Sequence, residues 1–306
     1  MKIFAIALCA LVFPAAASAA TPVAVSTGGA RSVSYGSAVL TGTVTPNGSD
    51  ASYYFQYGLT HDYGAQTAIA DAGAGTHGVS VALPIAGLAP LTVYHYRLVA
   101  VNAAGASIGA DRTLLTTKVP LSLQILVAPN PVAFGGTVVV QGTLSGTGNA
   151  SRPVVLQADP FGSAVFQNIG NPELTSASGG FSFPVLGMTS TTAFRVVTTT
   201  NPPVVSPVAA ESVAVQVTSH VARARRPHHA RIFGTVTPAE DGMHVAILRI
   251  VHGRGVLVGG TVLRPHSPNS SSFSRVVPVR RGVYRVLVVV TGRGQVSNYG
   301  QPLLVR

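Results

Sequence analysis

Apolar and polar residues alternate with a period of two in many short stretches of this chain. In the stretch AVLTGTVTP, residues 38–46, Leu40 and Val44 fall on one face and Val39 falls on the other. The stretch TVYHYRLVAV, residues 92–101, alternates in the same way. Such alternation of β-branched and aromatic residues is typical of strands. Helical periodicity is not evident in any long stretch, so the sequence predicts an all-β protein.

The pentapeptide GTVTP occurs twice, and a near copy lies between the two. The full copies occupy residues 42–46 and 234–238, and the near copy GTLSG occupies residues 142–146. Glycine and threonine suit a strand whose neighbour packs closely against it. The proline in the two full copies is expected to end the strand, because proline cannot donate to a β-ladder. We therefore interpret the pentapeptide as a structural mark of the same strand in three domains.

A second motif, an aromatic residue followed by an arginine, comes after each copy. Its arginines are Arg97, Arg195 and Arg285, which lie 55, 53 and 51 residues after the first glycine of the corresponding copy. Two motifs at near-constant separation predict a repeated unit of about 90 to 100 residues. A unit of that length with many short strands and no helices is typical of a β-sandwich.

The stretch LAPLTVYHYRLV, residues 88–99, is followed by NAAG. With this motif, residues 21–117 resemble a bacterial fibronectin type III domain. The resemblance implies that Tyr94 forms a tyrosine corner, in which its hydroxyl bonds to the backbone near Leu88. The two later units share the short motifs and resemble immunoglobulin-type sandwiches.

The tryptophan that is usual in the core of the family is absent, since the chain contains none. Tyr53 or Phe55 is expected to fill that space. The predicted fold class is all-β, with three tandem β-sandwich domains of the fibronectin type III or immunoglobulin-like kind after a signal peptide. The expected boundaries are 1–20 for the signal peptide, 21–117 for the fibronectin type III-like domain, 118–218 for an immunoglobulin-like sandwich, 219–230 for a basic linker and 231–306 for a basic immunoglobulin-like sandwich.

The first twenty residues have the parts of a secretory signal. Lys2 supplies a positive start, residues 3–12 are apolar, and residues 17–19 form a small-residue cleavage site. The alternative, a membrane anchor, needs about 20 apolar residues. The one cysteine, Cys9, lies in this segment, so the mature domains are expected to be held together by burial without disulfides. We predict a secreted or cell-surface protein with no membrane span in its mature chain.

The net charge of +11 is concentrated near the C-terminus. Residues 218–306 carry thirteen arginines against Glu240 and Asp241, whereas residues 21–217 carry six basic and seven acidic residues. Arginine forks suit phosphate and carboxylate groups. The predicted contacts to a polyanion are Arg223, Arg225, Arg226, Arg231, Arg280 and Arg281. The alternative is that the source simply favours arginine and that the basic segment is a solvated spacer.

Two motifs look catalytic but stand in strand-rich surroundings. The stretch GASIG, residues 105–109, matches the nucleophile elbow around Ser107, and GAGTHG, residues 73–78, matches a dinucleotide-binding pattern. Both motifs require a following helix, and strand-like sequence follows instead. Six of the nine histidines lie in the last third of the chain and are interpreted as solvated surface residues. We therefore expect no enzyme, no cofactor and no metal site.

Two functions fit these features. The first is a non-catalytic spacer or adhesion protein, held to anionic cell-envelope polymers by its arginine-rich C-terminal part or bound to another surface protein. The second is an accessory, non-catalytic subunit of an exported polysaccharide-acting hydrolase system. Nucleic acid is not expected as a partner, because the protein is predicted to be exported and its basic part has few aromatic residues for base stacking.

Overall fold

The structure is a computed structural model that describes residues 20–292 and 294–306. The predicted signal peptide and Cys9 therefore lie outside the described residues, except for position 20. Within the described residues the chain forms strands and turns and no helix. It divides into two compact units between Val119 and Pro120. The first unit holds one β-sandwich and the second holds two, so the predicted all-β fold class is confirmed.

The first sandwich consists of two antiparallel sheets. Its strands are β1 (Ala24–Thr27), β2 (Ser37–Thr45), β3 (Ala51–Gly58), β4 (Ala65–Gln66), β5 (Ala70–Gly73), β6 (Val79–Ala86), β7 (Val93–Asn102), β8 (Gly105–Ile108) and β9 (Arg112–Leu115). One sheet has the order β1-β2-β6. The other is centred on β3 and β7, with β4 and β5 pairing with β3, and β8 and β9 pairing with β7. This strand order is that of a fibronectin type III sandwich, which confirms the resemblance at the level of the fold.

The core of the first sandwich follows the alternation read from the sequence. Leu40 from β2 and Tyr96 and Leu98 from β7 are buried between the sheets. Tyr53 and Phe55 from β3 are 7% and 0% exposed, so both rings lie in the core that has no tryptophan. Burial of apolar area of this kind stabilises the fold by about 25 cal/mol for each Å² removed from water.

The second sandwich has the same arrangement. Its strands are β10 (Ser122–Ala128), β11 (Val132–Ala133), β12 (Gly136–Ser145), β13 (Pro153–Pro160), β14 (Gln167–Leu174), β15 (Gly180–Met188), β16 (Thr192–Thr198), β17 (Ala209–Glu211) and β18 (Val213–Ala214). The sheet β10-β12-β15 faces the sheet β14-β13-β16-β17, and β11 pairs in parallel with β18. Leu144, Leu156, Phe194 and Val196 are fully or almost fully buried in its core.

The third sandwich repeats the plan with a wider first sheet. Its strands are β19 (Gln216–Val217), β20 (His220–Arg223), β21 (His229–Thr237), β22 (His244–Val251), β23 (Arg254–Val262), β24 (Arg264–Ser267), β25 (Ser270–Pro278), β26 (Gly282–Val289), β27 (Asn298–Tyr299) and β28 (Leu303–Val305). In one sheet β19 and β20 both pair with β21, which is followed by β25 and β24. In the other, β22 lies between β23 and β26, and β27 and β28 pair with β26.

The segment 219–230, expected to be a basic linker, is instead part of the third sandwich. Strand β20 pairs with β21, and the two form a hairpin. The second and third sandwiches also follow each other without a spacer, because β19 begins two residues after β18 ends. Val296 donates a backbone hydrogen bond to Val213 at 2.8 Å and accepts one from Val215 at 3.3 Å. Charge composition suggested a linker, but pairing of the backbone groups determined the structure.

The glycine of the repeated pentapeptide has the same position in each sandwich. Gly42, Gly142 and Gly234 lie in β2, β12 and β21, the second main strand of the corresponding domain. A Cβ atom at these positions would come within 2.7, 2.2 and 1.9 Å of a backbone carbonyl oxygen of a neighbouring segment. Strands β2 and β21 both end directly before the proline. The structural interpretation of the pentapeptide is therefore confirmed.

The arginines of the second motif lie on β7, β16 and β26, and each guanidinium covers an aromatic ring. The distances to the ring centroids are 4.4 Å for Arg97, 4.2 Å for Arg195 and 4.7 Å for Arg285. The aromatic residue before each arginine, on the opposite face of the strand, is buried in the core. Each copy of the motif thus contributes one side chain to the core and one to the outer face.

Candidate functional site

A hairpin at one end of the third sandwich forms one wall of a cleft. Strands β20 and β21 pair from His220 opposite Phe233 to Arg223 opposite Ala230, and residues 224–228 form the turn. The turn between β25 and β26 and the residues around β28 complete the cleft, which has a volume of about 600 Å³. The basic and titratable side chains that line it are those of Arg223, Arg226, His228, His229, Arg280, Arg281 and Arg306.

Hydrogen bonds fix the backbone that carries these arginines. The Tyr284 hydroxyl accepts a hydrogen bond from the Arg280 amide at 2.9 Å and lies 3.0 Å from the Arg280 carbonyl, to which it donates. The Arg249 guanidinium donates to the Arg281 carbonyl at 3.2 Å. The Val279 amide donates to the His228 carbonyl in the hairpin turn at 2.8 Å, and this hydrogen bond connects the two walls of the cleft. The arginine side chains are exposed on a backbone that is held in place.

The structure brings together four of the six predicted polyanion contacts. Arg223, Arg226, Arg280 and Arg281 come from segments more than 50 residues apart in sequence and line the same cleft. Arg225 lies in the hairpin turn but does not line the cleft. Arg231 is exposed on β21, with its guanidinium 4.5 Å from the centroid of the Phe233 ring.

Acidic residues do not line the cleft among the residues that the structure describes. Glu240 and Asp241 follow the end of β21, whereas the cleft lies at the start of that strand. Nine residues of strand span roughly 27 Å, which is well beyond the Debye length of about 8 Å at physiological ionic strength. The carboxylates of Glu240 and Asp241 therefore do not compensate the positive charge of the cleft arginines.

A second hollow of about 450 Å³ adjoins the first and shares His228, His229 and Arg280 with it. It adds Arg249, whose Nε atom is buried without a hydrogen-bond partner. A buried donor without a partner lowers the free energy of unfolding by about 1–3 kcal/mol unless a bound group or water supplies an acceptor. Arg249 was not predicted from the sequence, because it is a single arginine in an apolar strand and only the fold places it beside the hairpin.

The Tyr94 hydroxyl accepts a hydrogen bond from the Ala89 amide at 2.9 Å. The donor, Ala89, lies next to Leu88, which is 7% exposed and belongs to the core of the first sandwich. In the third sandwich Tyr284 bonds to the backbone four residues before it. This second contact was not predicted from the sequence, although Tyr284 is the aromatic residue of the aromatic–arginine motif.

The first sandwich contains a cluster of titratable side chains that was not predicted from the sequence. His61 Nε2 and His95 Nδ1 lie 3.4 Å and 2.9 Å from Asp111 Oδ2, and the two imidazole ring centroids are 4.2 Å apart. The Tyr63 hydroxyl donates to Asp111 Oδ1 at 2.9 Å. Partial burial opposes ionisation of Asp111, but the hydrogen bonds from His95 and Tyr63 outweigh it and lower the pKa of the carboxyl. The gaps of 34 and 16 residues between the three side chains gave no motif in the sequence.

The two enzyme-like motifs lie on strands and turns. Ser107 is on β8, which forms a hairpin with β7. The stretch 73–78 begins at the last residue of β5 and continues as the turn that leads into β6. In neither place does a helix follow, so neither motif has the context that its chemistry requires.

No protein-family model matches this chain, and no curated protein matches it. Similar solved structures include the sensor domain of the anti-sigma factor RsgI4 of Pseudobacteroides cellulosolvens, with 20% identity, covering 31% of this chain and 90% of that chain at a TM-score of 0.22. The FN1-FN3 domains of chicken CNTN1 show 14% identity over 90% of this chain and 95% of that chain, with a TM-score of 0.29. A tetra-tandem repeat in the extending region of a large adhesion protein shows 16% identity over 92% and 72%, with a TM-score of 0.30. Because these TM-scores are low, the fold is assigned from the strand order and register.

Proposed function

We propose that this chain is an exported, non-catalytic β-sandwich protein whose third domain binds an anionic polymer through the arginine cleft. The observation that carries the proposal is the convergence of Arg223, Arg226, Arg280 and Arg281 on one cleft, in which no described residue contributes an acidic side chain. The first two sandwiches act as spacer or adhesion modules. An accessory role beside an exported hydrolase stays a prediction from the sequence.

The chemistry of the cleft favours phosphate or carboxylate groups. Each guanidinium keeps its charge at all physiological pH values and presents paired donors that match these groups. A polymer that carries such groups at regular intervals would contact several arginines at once, and the fixed backbone lowers the entropic cost of ordering them. His228 and His229 line the same cleft and offer ring nitrogens that can donate further hydrogen bonds to such a polymer.

The experiment measures retention of residues 21–306 on immobilised long-chain polyphosphate and, in a separate arm, on polygalacturonate, over a salt series. The cleft variant replaces Arg223, Arg226, Arg280 and Arg281 with alanine. The control variant replaces four exposed arginines that lie outside the cleft in the same domain, Arg231, Arg254, Arg264 and Arg275. Both variants lose the same charge, so the comparison separates the geometry of the cleft from net charge.

We expect the cleft variant to bind at least about tenfold more weakly at 0.1 M salt and the control variant to bind nearly as well as the wild type. The arm with the stronger retention identifies phosphate or carboxylate as the preferred group. Equal weakening of both variants, retention that does not change with salt, or no retention in either arm would overturn the proposal.

A further inference from the structure

Three potential metal ligands meet on the surface of the first sandwich. His61 lies in the turn after β3, His95 lies on β7, and Asp111 lies directly before β9. One ligand atom from each side chain can be chosen such that all three lie within 4.8 Å of one another. Three separate segments, each fixed by its own strand, thus present two imidazoles and one carboxylate to the same point.

The distances suit a borderline transition ion. Zinc bonds to imidazole nitrogen at about 2.0–2.1 Å and to carboxylate oxygen at about 2.0–2.2 Å. Tetrahedral geometry then separates two ligand atoms by roughly 3.3 Å. The carboxylate oxygen of Asp111 lies 3.4 Å and 2.9 Å from the imidazole nitrogens of His61 and His95, so small side-chain movements make room for an ion. Calcium and magnesium fit poorly, because they prefer several oxygen ligands and this cluster offers one carboxylate.

A second layer of contacts holds the carboxylate in position. The Tyr63 hydroxyl bonds to the other oxygen of Asp111 at 2.9 Å. Tyr63 is 6% exposed, and the Arg97 guanidinium lies 4.4 Å from its ring centroid. Arg97 is held in turn by Gln56 at 2.8 Å. Outer contacts of this kind orient metal ligands and raise affinity about 10- to 100-fold.

The turn that carries His61 and Tyr63 is built for close approach. Tyr63 has a φ of 61°, in the left-handed region. A Cβ atom at Gly58 would lie 1.6 Å from the Tyr63 carbonyl oxygen, so the turn can fold back on β3 only because position 58 is glycine. The turn therefore brings His61 over His95, with 4.2 Å between the ring centroids.

We propose that His61 Nε2, His95 Nδ1 and Asp111 Oδ2 bind Zn²⁺ or a similar divalent transition ion. The ion takes the place of the hydrogen bond between His95 Nδ1 and Asp111 Oδ2, and water completes the coordination on the exposed side of His61. The ion would connect the turn after β3 with β7 and the segment before β9. This site lies outside the proposed polyanion cleft and does not depend on it.

The test is calorimetric titration of residues 21–306 with ZnCl₂. His228→Ala and His229→Ala are built into every protein, because this adjacent pair in the third sandwich would bind zinc weakly on its own. In that background, His95→Ala and Asp111→Asn test the site, and His77→Ala is the control because His77 is exposed in the same sandwich and is not part of the cluster. Asp111→Asn preserves shape and keeps an acceptor for Tyr63.

We expect one zinc ion per chain in the background protein and in His77→Ala, and at least about tenfold weaker binding in both site variants. Replacement of zinc with Co²⁺ should give the visible absorption of a low-coordinate site, and this absorption should be lost in Asp111→Asn. Circular dichroism of Asp111→Asn verifies that the variant is folded. Unchanged affinity in a folded Asp111→Asn, or no stoichiometric zinc binding in the background protein, would overturn the proposal.

Discussion

The first and third sandwiches share a frame and differ at their surfaces. In both, the pentapeptide glycine lies on the second main strand, which is β2 or β21. The motif arginine lies on an inner strand of the other sheet, which is β7 or β26. At its surface the first sandwich gathers two histidines around a carboxylate, whereas the third gathers arginines around a cleft that no acidic side chain lines in the described part of the chain. The frame is set by buried strands, while the chemistry lies on turns and strand ends, where sequence change costs little stability.

The motif arginine shows the same difference inside the frame. Arg97 lies opposite Gln56 in register and donates to its amide oxygen at 2.8 Å. Arg285 lies opposite Leu248, and its Nε atom is buried without a partner. The Nε atom of the motif arginine therefore has a hydrogen-bond acceptor in the first sandwich and none in the third, although the residue is arginine in both.

The largest effect is expected at the pentapeptide glycines. Gly234→Ala would place Cβ 1.9 Å from the Thr218 carbonyl oxygen, whereas Gly42→Ala would place it 2.6 Å from Leu98 Cδ2 and 2.7 Å from a carbonyl oxygen. We expect each change to destabilise its own sandwich, by about 3 kcal/mol or more at Gly234 and by about 1–3 kcal/mol at Gly42. Hydrogen exchange followed by mass spectrometry measures each sandwich separately.

Gly29→Ala is the control for this pair, because a Cβ atom there meets no heavy atom within 4 Å. Its exchange should match that of the wild type. Equal protection of β21 and β25 in Gly234→Ala and the wild type would contradict the close approach of the strands at this position.

The next effect concerns the partner of the motif arginine. Gln56→Leu removes the acceptor for Arg97 Nε and is expected to destabilise the first sandwich by about 1–2 kcal/mol. Leu248→Gln offers an acceptor to Arg285 Nε and is expected to stabilise the third sandwich by up to about 1 kcal/mol. Gln157→Leu should behave like Gln56→Leu, because Gln157 accepts from Arg195 Nε at 2.7 Å. Hydrogen exchange over a denaturant series measures the unfolding free energy of each sandwich in all three variants. Stabilisation by Gln56→Leu would contradict a stabilising hydrogen bond between Arg97 and Gln56.

The smallest expected effect comes from the opposite pKa shifts of two carboxyl groups, those of Asp111 and Glu211. The pKa of Asp111 is lowered, whereas burial raises the pKa of Glu211, which is 0% exposed and has one oxygen without a partner. A raised native pKa means that the native state holds its proton more tightly, so the unfolding free energy falls as the pH rises from the ordinary value of about 4.3 through the native pKa. Glu211→Gln removes this dependence and keeps an acceptor for the Val132 amide, which donates to Glu211 Oε1 at 3.0 Å.

We expect Glu211→Gln to raise the midpoint of thermal unfolding of the second sandwich at pH 7 by a few degrees and to change it little at pH 4. Scanning calorimetry at the two pH values measures the difference. A larger gain at pH 4 than at pH 7 would show that the carboxylate is not destabilised by burial.

The sequence alone determined the frame of this protein. Period-two alternation placed Leu40, Tyr96 and Leu98 in the core, because side chains on successive strand residues point to opposite faces. The spacing of the pentapeptide and the motif arginine predicted three repeated units of similar length, because each unit must close a core of its own. Alternation is visible within a few residues and the repeat within the linear order of the chain, so neither requires knowledge of which strands pair.

Only the tertiary structure determined the surface sites. The segment around Arg223 was predicted to be a linker, and it became a strand because its backbone groups found partners on β21. His61, His95 and Asp111 are far apart in sequence and meet because β3, β7 and β9 are neighbours in one sheet. Contacts between separate strands depend on strand order and register, and a single sequence does not reveal which strand ends will lie side by side.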